Sequence, residues 1–415
     1  MTSSVDEPAD GTVQEHSWRT WAGVAALVYI LLVGVGVIGD GFKWISGGSE
    51  GAERIFAFAS NPIVGVILGT LATALVQSSS TVSSVIVGLV AGGVPVSIAV
   101  PMIMGANMGT TITNTLVSLG NLGERKSFNQ SFQAATVHDF FNLYSIVIFL
   151  PIEMVFKPLE RMGGAMSEWF VGESTASIKD LNVLGAATKP VVNAIVGAFE
   201  SLPTAVGALL VIAIGIALVM CSVMYLGRLL RAVMTGKARH LVHRAIGGGR
   251  TSGIASGTVI TVLVQSSSTT TSLIVPLAGS GVLTTREVFP FTMGANIGTC
   301  ITALLAATSI SGGNEIFALQ IALVHLLYNV FGVMLFSLVP WLRETPVRSA
   351  QWLGNKTESN RGWAFGYILG VFFMLPGTVF AAQWLFGEED ERIEDVAAEI
   401  EDVEKEVEEE ELVIE

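Results

Sequence analysis

The hydrophobic positions of this chain fall into long apolar runs. Residues 18–38, 131–156, 202–225, 320–341 and 363–386 are each long and apolar enough to cross a bilayer as one helix. Between them lie two stretches with a different pattern. Residues 55–123 contain no Asp, Glu, Lys or Arg, and neither do residues 251–285. Both are interrupted by the same polar string, Gln77-Ser78-Ser79-Ser80-Thr81 and Gln265-Ser266-Ser267-Ser268-Thr269. Amide and hydroxyl side chains are costly at membrane depth unless something satisfies them. The pattern therefore predicts two helical hairpins with the polar string at the tip, their arms at 61–76 and 82–91, and at 253–264 and 270–278. Further along, Gly105-Ala106-Asn107-Met108-Gly109-Thr110 and Gly294-Ala295-Asn296-Ile297-Gly298-Thr299 read as breaks in a membrane helix. Irregular backbone is tolerated at that depth only where it is buried in protein or lines a wet cavity.

These features recur in the same order. Gln77 and Gln265 are 188 residues apart, Asn107 and Asn296 are 189 apart, and Gln133, His138 and Asn142 precede Gln320, His325 and Asn329 by 187. Such constant register implies an internal duplication, roughly 55–157 and 243–343. Duplicated membrane halves with interrupted helices at matching places are characteristic of secondary transporters, with the site between the halves. The expected fold is an all-α polytopic membrane protein of two inverted repeats, each with a re-entrant helical hairpin and a broken helix. The expected organisation is a disordered N-terminus at 1–17, a first span and connection at 18–54, and repeat 1 at 55–157. An extramembrane loop, a span and a basic loop follow at 158–242, then repeat 2 at 243–343, a last span at 344–387 and a tail at 388–415.

Composition sharpens this picture. Only 14% of the 415 residues are charged and 51% are apolar, whereas soluble domains carry roughly 25% charged residues. The net charge of −13 is misleading about the membrane part. Residues 388–415 hold sixteen Asp and Glu against two Lys and Arg, a charge of −14, so the rest of the chain is close to neutral. In the tail, Ile393, Val396, Ile400, Val403 and Val407 follow a three-four spacing. That spacing suits either a short coiled coil through which copies could form a homo-oligomer, or a solvated acidic tail. Residues 228–250 contain Arg228, Arg231, Lys237, Arg239, Arg244 and Arg250 and no acid. By the positive-inside rule this loop is cytoplasmic, in a multi-pass protein of the plasma membrane. Its place between membrane segments argues against nucleic acid as a partner. Cys221 and Cys300 have no second Cys or His nearby in sequence, so neither a disulfide framework nor a metal site is expected. The first span follows an acidic stretch and is not followed by a small-residue cleavage pattern, so it is read as a helix that stays.

The repeated strings offer amides, hydroxyls and helix ends but no fixed charge. Hydroxyl and carbonyl oxygens suit Na+. Hydroxyl and amide donors at a helix N-terminus suit an oxyanion. A neutral cavity holds either charge poorly alone and both together well, which gives a physical origin for obligatory coupling. Small residues could instead serve only close helix packing, but this does not explain two matched Gln or two matched Asn. A serine hydrolase needs a base, and the nearest candidates, His138 and His325, lie about 60 residues from each string; an enzyme also has no reason to duplicate its nucleophile loop. A passive channel would not need Na+. His138 and His325 each precede an Asn by four residues, so each His shares a helix face with Asn142 or Asn329 and reads as a supporting hydrogen-bond pair.

The doubled QSSS, the two GAN-x-GT strings, and Thr136-Val137-His138-Asp139-Phe140-Phe141-Asn142 followed by Leu150-Pro151-Ile152-Glu153 resemble the type II sodium-dependent phosphate cotransporters. The resemblance covers about 55–157 and 243–343. It implies inverted repeats with re-entrant QSSS hairpins around a central phosphate site, with Na+ as the coupling ion. It assigns Gln77, Ser78, Ser79, Gln265, Ser266 and Ser267 to inorganic phosphate, and Asn107 and Asn296 of the repeated strings are added as candidates beside them. Ser80, Thr81, Ser268 and Thr269 are assigned to Na+, with the hydroxyls of Thr110, Thr111 and Thr299 as further candidates. The alternative substrate is another oxyanion or a phosphorylated headgroup. The loop at 157–201 is shorter than the large extracellular loop of the animal members. Electrogenic members resemble one another in an extra acidic residue in the first repeat. Residues 55–123 have none, so electroneutral import of one divalent phosphate with two Na+ is expected.

Overall fold

A computed structural model describes residues 18–171, 182–234, 249–310, 314–379 and 381–382. Its α-helices run in order α1 (Trp18–Ser46), α2 (Ser49–Ile55), α3 (Pro62–Val76), α4 (Ser79–Ala91), α5 (Val96–Thr110), α6 (Ile112–Ser118), α7 (Arg125–Phe156), α8 (Pro158–Val171), α9 (Asn182–Gly197), α10 (Thr204–Met234), α11 (Arg250–Val264), α12 (Ser267–Ser272), α13 (Val275–Gly279), α14 (Thr285–Ala307), α15 (Glu315–Leu338), α16 (Pro340–Ser359) and α17 (Gly362–Leu369). Among the described residues, seven helical segments are long and apolar enough to cross a membrane: Trp18–Ser46, Val96–Asn121, Arg125–Phe156, Thr204–Leu229, Thr285–Ala307, Glu315–Leu338 and Gly362–Val379. α3, α4 and α11 are apolar but too short to span alone.

Each polar string is a two-residue turn between helices, and its residue order says why. The Asn61 side chain caps the start of α3 by accepting from the Ile63 amide, with Pro62 in the first turn. α3 ends where Gln77 turns left-handed at φ 59°, and α11 ends the same way at Gln265, φ 53°. The next residue, Ser78 or Ser266, is extended, and its hydroxyl caps the following helix by accepting from the amide of Thr81 or Thr269. In the second half, Leu273, Ile274 and Pro276 split the returning arm into α12 and α13.

The breaks expected at the two GAN-x-GT strings are not there. α5 runs through Gly105–Thr110 and yields only at Thr111, and α14 passes through its copy without interruption. The glycines serve close crossing instead. A Cβ on Gly105 would lie 1.9 Å from the Val66 carbonyl oxygen of α3, and one on Gly294 would lie 2.0 Å from that of Ile254 in α11. Gly69 and Gly257 press back from the other side, 2.0 Å from the carbonyl oxygens of Met102 and Phe291 by the same measure. Thr70 and Thr258 use this closeness to donate to the carbonyls of Gly105 and Gly294, at 3.2 Å and 3.0 Å. Small residues let two backbones meet, and the exposed carbonyls find donors.

The halves are also interlocked. α8, which follows the long helix of the first half, packs on α15 of the second. There Gly163 faces Val324, and Gln320 donates to the Glu160 carbonyl at 2.9 Å. α16, which follows α15, packs on α7, with Gly354 against Gln133. The scaffold pair α1 and α10 runs antiparallel, with Gly41 against Val211, Gly34 against Gly215 and Val219, and Ser222 donating to the Leu27 carbonyl. Much of the segment expected as an extramembrane loop is helical. α9 packs on α1 through Val192 and through Tyr29, which donates to the Ala187 carbonyl at 3.0 Å. The N-terminus at 1–17, most of the basic loop and the acidic tail lie outside the described residues.

Candidate functional site

The two tips meet. The hydroxyl oxygens of Ser79 and Ser267, equivalent in the two halves, lie 3.5 Å apart in the interior. Each Gln is locked in the same way. Gln77 Nε2 donates to the Ala74 carbonyl at 2.6 Å, and its Oε1 accepts from Thr113 Oγ1 at 2.8 Å. Gln265 Nε2 donates to the Val262 carbonyl at 2.6 Å, and its Oε1 accepts from Thr302 Oγ1 at 2.8 Å. A left-handed residue other than Gly costs about 1–2 kcal/mol; here the side chain offsets this by satisfying the carbonyls its turn leaves open. Each amide keeps one N–H free to donate. The capping hydroxyls also pair with the threonines one turn on, Ser78 with Thr81 and Ser266 with Thr269, both at 2.9 Å.

This geometry leaves the first amides of α4 and α12 without intrahelical acceptors. Two positive helix ends therefore converge where the tips meet. Gln77, Ser78, Thr81, Ser266, Ser268 and Thr269 line a cavity of about 620 Å³, and Gln265 borders it. Among the described residues that line it, none is ionisable apart from Cys221, through its thiol. Ser79, Ser80 and Ser267 lie beneath its surface, each 3% exposed. The tips are not equally open. Gln77 is exposed to the cavity, whereas Gln265 is buried.

The four supporting residues and the two GAN asparagines form one crossed network. Asn296 of the second half accepts at Oδ1 from His138 Nε2 (2.7 Å) and donates through Nδ2 to Asn142 Oδ1 (2.8 Å), both in the first half. Asn107 of the first half pairs through Oδ1 with His325 Nε2 (3.1 Å) and donates through Nδ2 to Asn329 Oδ1 (2.9 Å), both in the second. Asn142 also holds the Asn107 carbonyl at 2.9 Å. Every member is buried. Asn107 and Asn296, expected as phosphate ligands, thus have both ends of their amides engaged between the halves, and none of the cavity's lining residues is either of them. Thr110 and Thr299 bond back to the carbonyls of Ala106 and Ala295, each at 3.0 Å, and Thr111 bonds back to that of Met108 at 2.8 Å. Their remaining lone pairs are buried at the helix crossings.

Several participants were not read from the sequence. Thr113 and Thr302 hold the Gln side chains. Asn114 Oδ1 accepts from Thr271 (2.8 Å) and Ser272 (3.2 Å) and so ties α6 to the opposite tip. Thr73 and Thr261, one turn before each Gln, are buried hydroxyls without a hydrogen-bond partner among the described residues. The matching register signalled both Thr pairs, since each lies 188 or 189 residues from its copy. Asp139 has no copy, because Leu326 stands in its place. It is buried in α7; its Oδ2 accepts from Tyr367 (2.9 Å) and Thr115 (3.2 Å), and its Oδ1 has no partner among the described residues.

The sequence model of the family described as Na+/Pi-cotransporter matches residues 30–168 and 218–349. The chain is 30% identical over 444 residues to sodium-dependent phosphate transport protein 2B of Homo sapiens, covering 85% of this chain and 64% of that protein. It is 31% identical over 422 residues to sodium-dependent phosphate transport protein 2A of Rattus norvegicus, covering 85% of this chain and 66% of that protein. It therefore spans about two thirds of the length of these relatives. No solved structure matches it significantly.

Proposed function

The chain belongs to the Na+/Pi-cotransporter family, and on that premise we propose that it is a secondary transporter importing inorganic phosphate across the plasma membrane, driven by Na+. The observation that carries this reading is the meeting of two identical hairpin tips over a cavity whose described lining residues carry no fixed charge. Phosphate binds the free Gln77 and Gln265 N–H groups, the hydroxyls of Ser78 and Ser266, and the first amides of α4 and α12, beside Ser79 and Ser267. Donors of this kind at helix N-termini stabilise an oxyanion. Na+ takes oxygens from Ser80, Thr81, Ser268 and Thr269 beside it. Thr110, Thr111 and Thr299 are further candidates, as are the unpartnered Thr73 and Thr261 hydroxyls. Asn107 and Asn296 hold the halves together around the site. The repeats are inverted and their hairpins re-entrant, which lets the halves rock around the tips.

Coupling follows from charge. In this cavity phosphate and Na+ are each costly to desolvate alone and neutralise one another together. The charge balance also involves Asp139, a carboxylate of the first half that the charge-free stretch 55–123 leaves out of account. Electroneutral cotransport of two Na+ with one divalent phosphate requires that Asp139 keep one charge state throughout the cycle. A voltage-clamped membrane tests this. No steady current on adding phosphate supports electroneutral coupling, and a phosphate-dependent inward current overturns it.

Substrate class is tested by competition. Arsenate, matching phosphate in geometry and charge, should inhibit radiolabelled phosphate uptake, while sulfate and glycerol phosphate should not. Replacing Na+ by choline should abolish uptake. Inhibition by sulfate or by the headgroup would instead favour the broader oxyanion or phosphorylated-headgroup reading, to which the partly apolar cavity wall also gives room.

A further inference from the structure

The binding cavity has a third wall that neither repeat supplies. Ala217, Met220, Cys221, Met224 and Gly227 of α10 line it opposite the tips. Their spacing of three, one, three and three residues makes them one face of a helix. Met220 and Met224 are 40% and 44% exposed, and Cys221 is exposed beside them. This face is not held off at a distance. A Cβ on Gly227 would lie 3.4 Å from the carbonyl oxygen of Val264, the residue before Gln265.

The contacts of α10 with α1 fix where along the molecule this wall lies. Gly41 faces Val211, Gly34 faces Val219, Leu27 meets Ser222 and Gly23 meets Leu229. Residues 217–227 therefore run alongside the first half of α1, and the chain then continues into the basic stretch 228–250. Arg228 stands at that end, its guanidinium 5.2 Å from the Tyr225 ring centroid. The smaller cavity of about 170 Å³ is lined on α1 by Gly36, Gly39, Asp40 and Lys43, toward the other end of that helix, and by no residue of α10 among those described.

We propose that the 217–227 face of α10 is the wall along which substrate leaves the hairpin tips toward the basic-loop side, and that its side chains set the width of that passage. This rests on the phosphate-site reading above. A face of Ala, Met, Cys and Gly suits the role, because it offers bound phosphate no competing charge and Met side chains repack at low cost. Arg228 then presents the first cation beyond the cavity.

Cys221 makes the proposal testable, because Cys300 is fully buried and its thiol is engaged with the carbonyls of Asn296 and His325. Inside-out and right-side-out vesicles containing the full chain are treated with a membrane-impermeant methanethiosulfonate. We expect Cys221 to be modified from the cytoplasmic face only, with a rate that falls at least fivefold when Na+ and phosphate are present together, and modification to abolish uptake. The C221S variant should lose labelling, and its remaining uptake should be insensitive to the reagent. Suppose Na+-driven phosphate uptake is intact before treatment, but labelling ignores Na+ and phosphate, or fully labelled protein transports at the original rate. Then the wall proposal is overturned while the site reading stands. Absence of Na+-driven uptake in untreated vesicles would instead overturn the site reading itself.

Discussion

At the scale of single residues, the site is a set of hydrogen bonds with few open ends. Gln77 and Gln265 each close their own turn and take a threonine hydroxyl, so their remaining N–H is aimed by the fold. Truncating either to alanine removes that donor together with the turn's own support. Gln77→Ala and Gln265→Ala should each raise the KM for phosphate about tenfold or more, equivalent to roughly 1.4 kcal/mol, measured by initial uptake rates. Asn296→Ala acts elsewhere. It leaves His138 and Asn142 buried without their shared partner, which costs about 2–3 kcal/mol, and Asn107→Ala does the same to His325 and Asn329. Thermal unfolding in detergent should show both losses, with C221S close to wild type. The tips were legible in the sequence because Gln-Ser-Ser-Ser-Thr is local grammar: a left-handed cap, an N-cap and its partner three residues on. Partners of the asparagines were not, because each bonds a helix more than 150 residues away. The His–Asn spacing disclosed a shared face but not what it faces.

At the scale of elements, the glycines decide the geometry. In the sequence Gly105, Gly109, Gly294 and Gly298 look like helix breakers among Asn and Thr. In the fold they sit in unbroken helix, and their missing side chains admit a neighbouring backbone. Propensity disfavours Gly in a helix by about 1 kcal/mol; close packing of α3 on α5, and of α11 on α14, outweighs it. Gly105→Ala and Gly294→Ala should therefore each destabilise by about 3 kcal/mol, because the new methyl meets backbone oxygen. Gly366→Ala, inside α17 with nothing within 4 Å, should instead stabilise, by up to about 1 kcal/mol. The same unfolding assay compares the three. Equal effects at Gly105 and Gly366 would contradict the crossing geometry. Helices α8 and α9 escaped the sequence reading for a related reason. Their residues are of mixed polarity, and their apolar faces are explained only by α15 and α1, against which they pack.

At the scale of the whole molecule, the duplication visible as a constant offset becomes a physical pairing. Each half contributes one hairpin, one crossing helix and one long helix, and each long helix carries the other half's trailing helix. Asp139 and α10 depart from this symmetry; in the sequence Asp139 stood out only as part of the Thr136–Asn142 stretch and α10 only as a membrane span. Asp139 lies just beyond the stretch surveyed for charge, and α10 lies outside both copies. Both bear on the transport cycle, one through charge balance and the other through the exit path. On the proposed reading, Na+ and phosphate share the cavity between the tips and move only together. The most direct test is radiolabelled phosphate uptake into proteoliposomes under an imposed Na+ gradient, comparing wild type with Gln77→Ala and Gln265→Ala. Accumulation should follow the gradient, collapse when the gradient is dissipated, and be strongly reduced in both variants. Uptake that ignores the gradient, or that survives both substitutions unchanged, would contradict that reading.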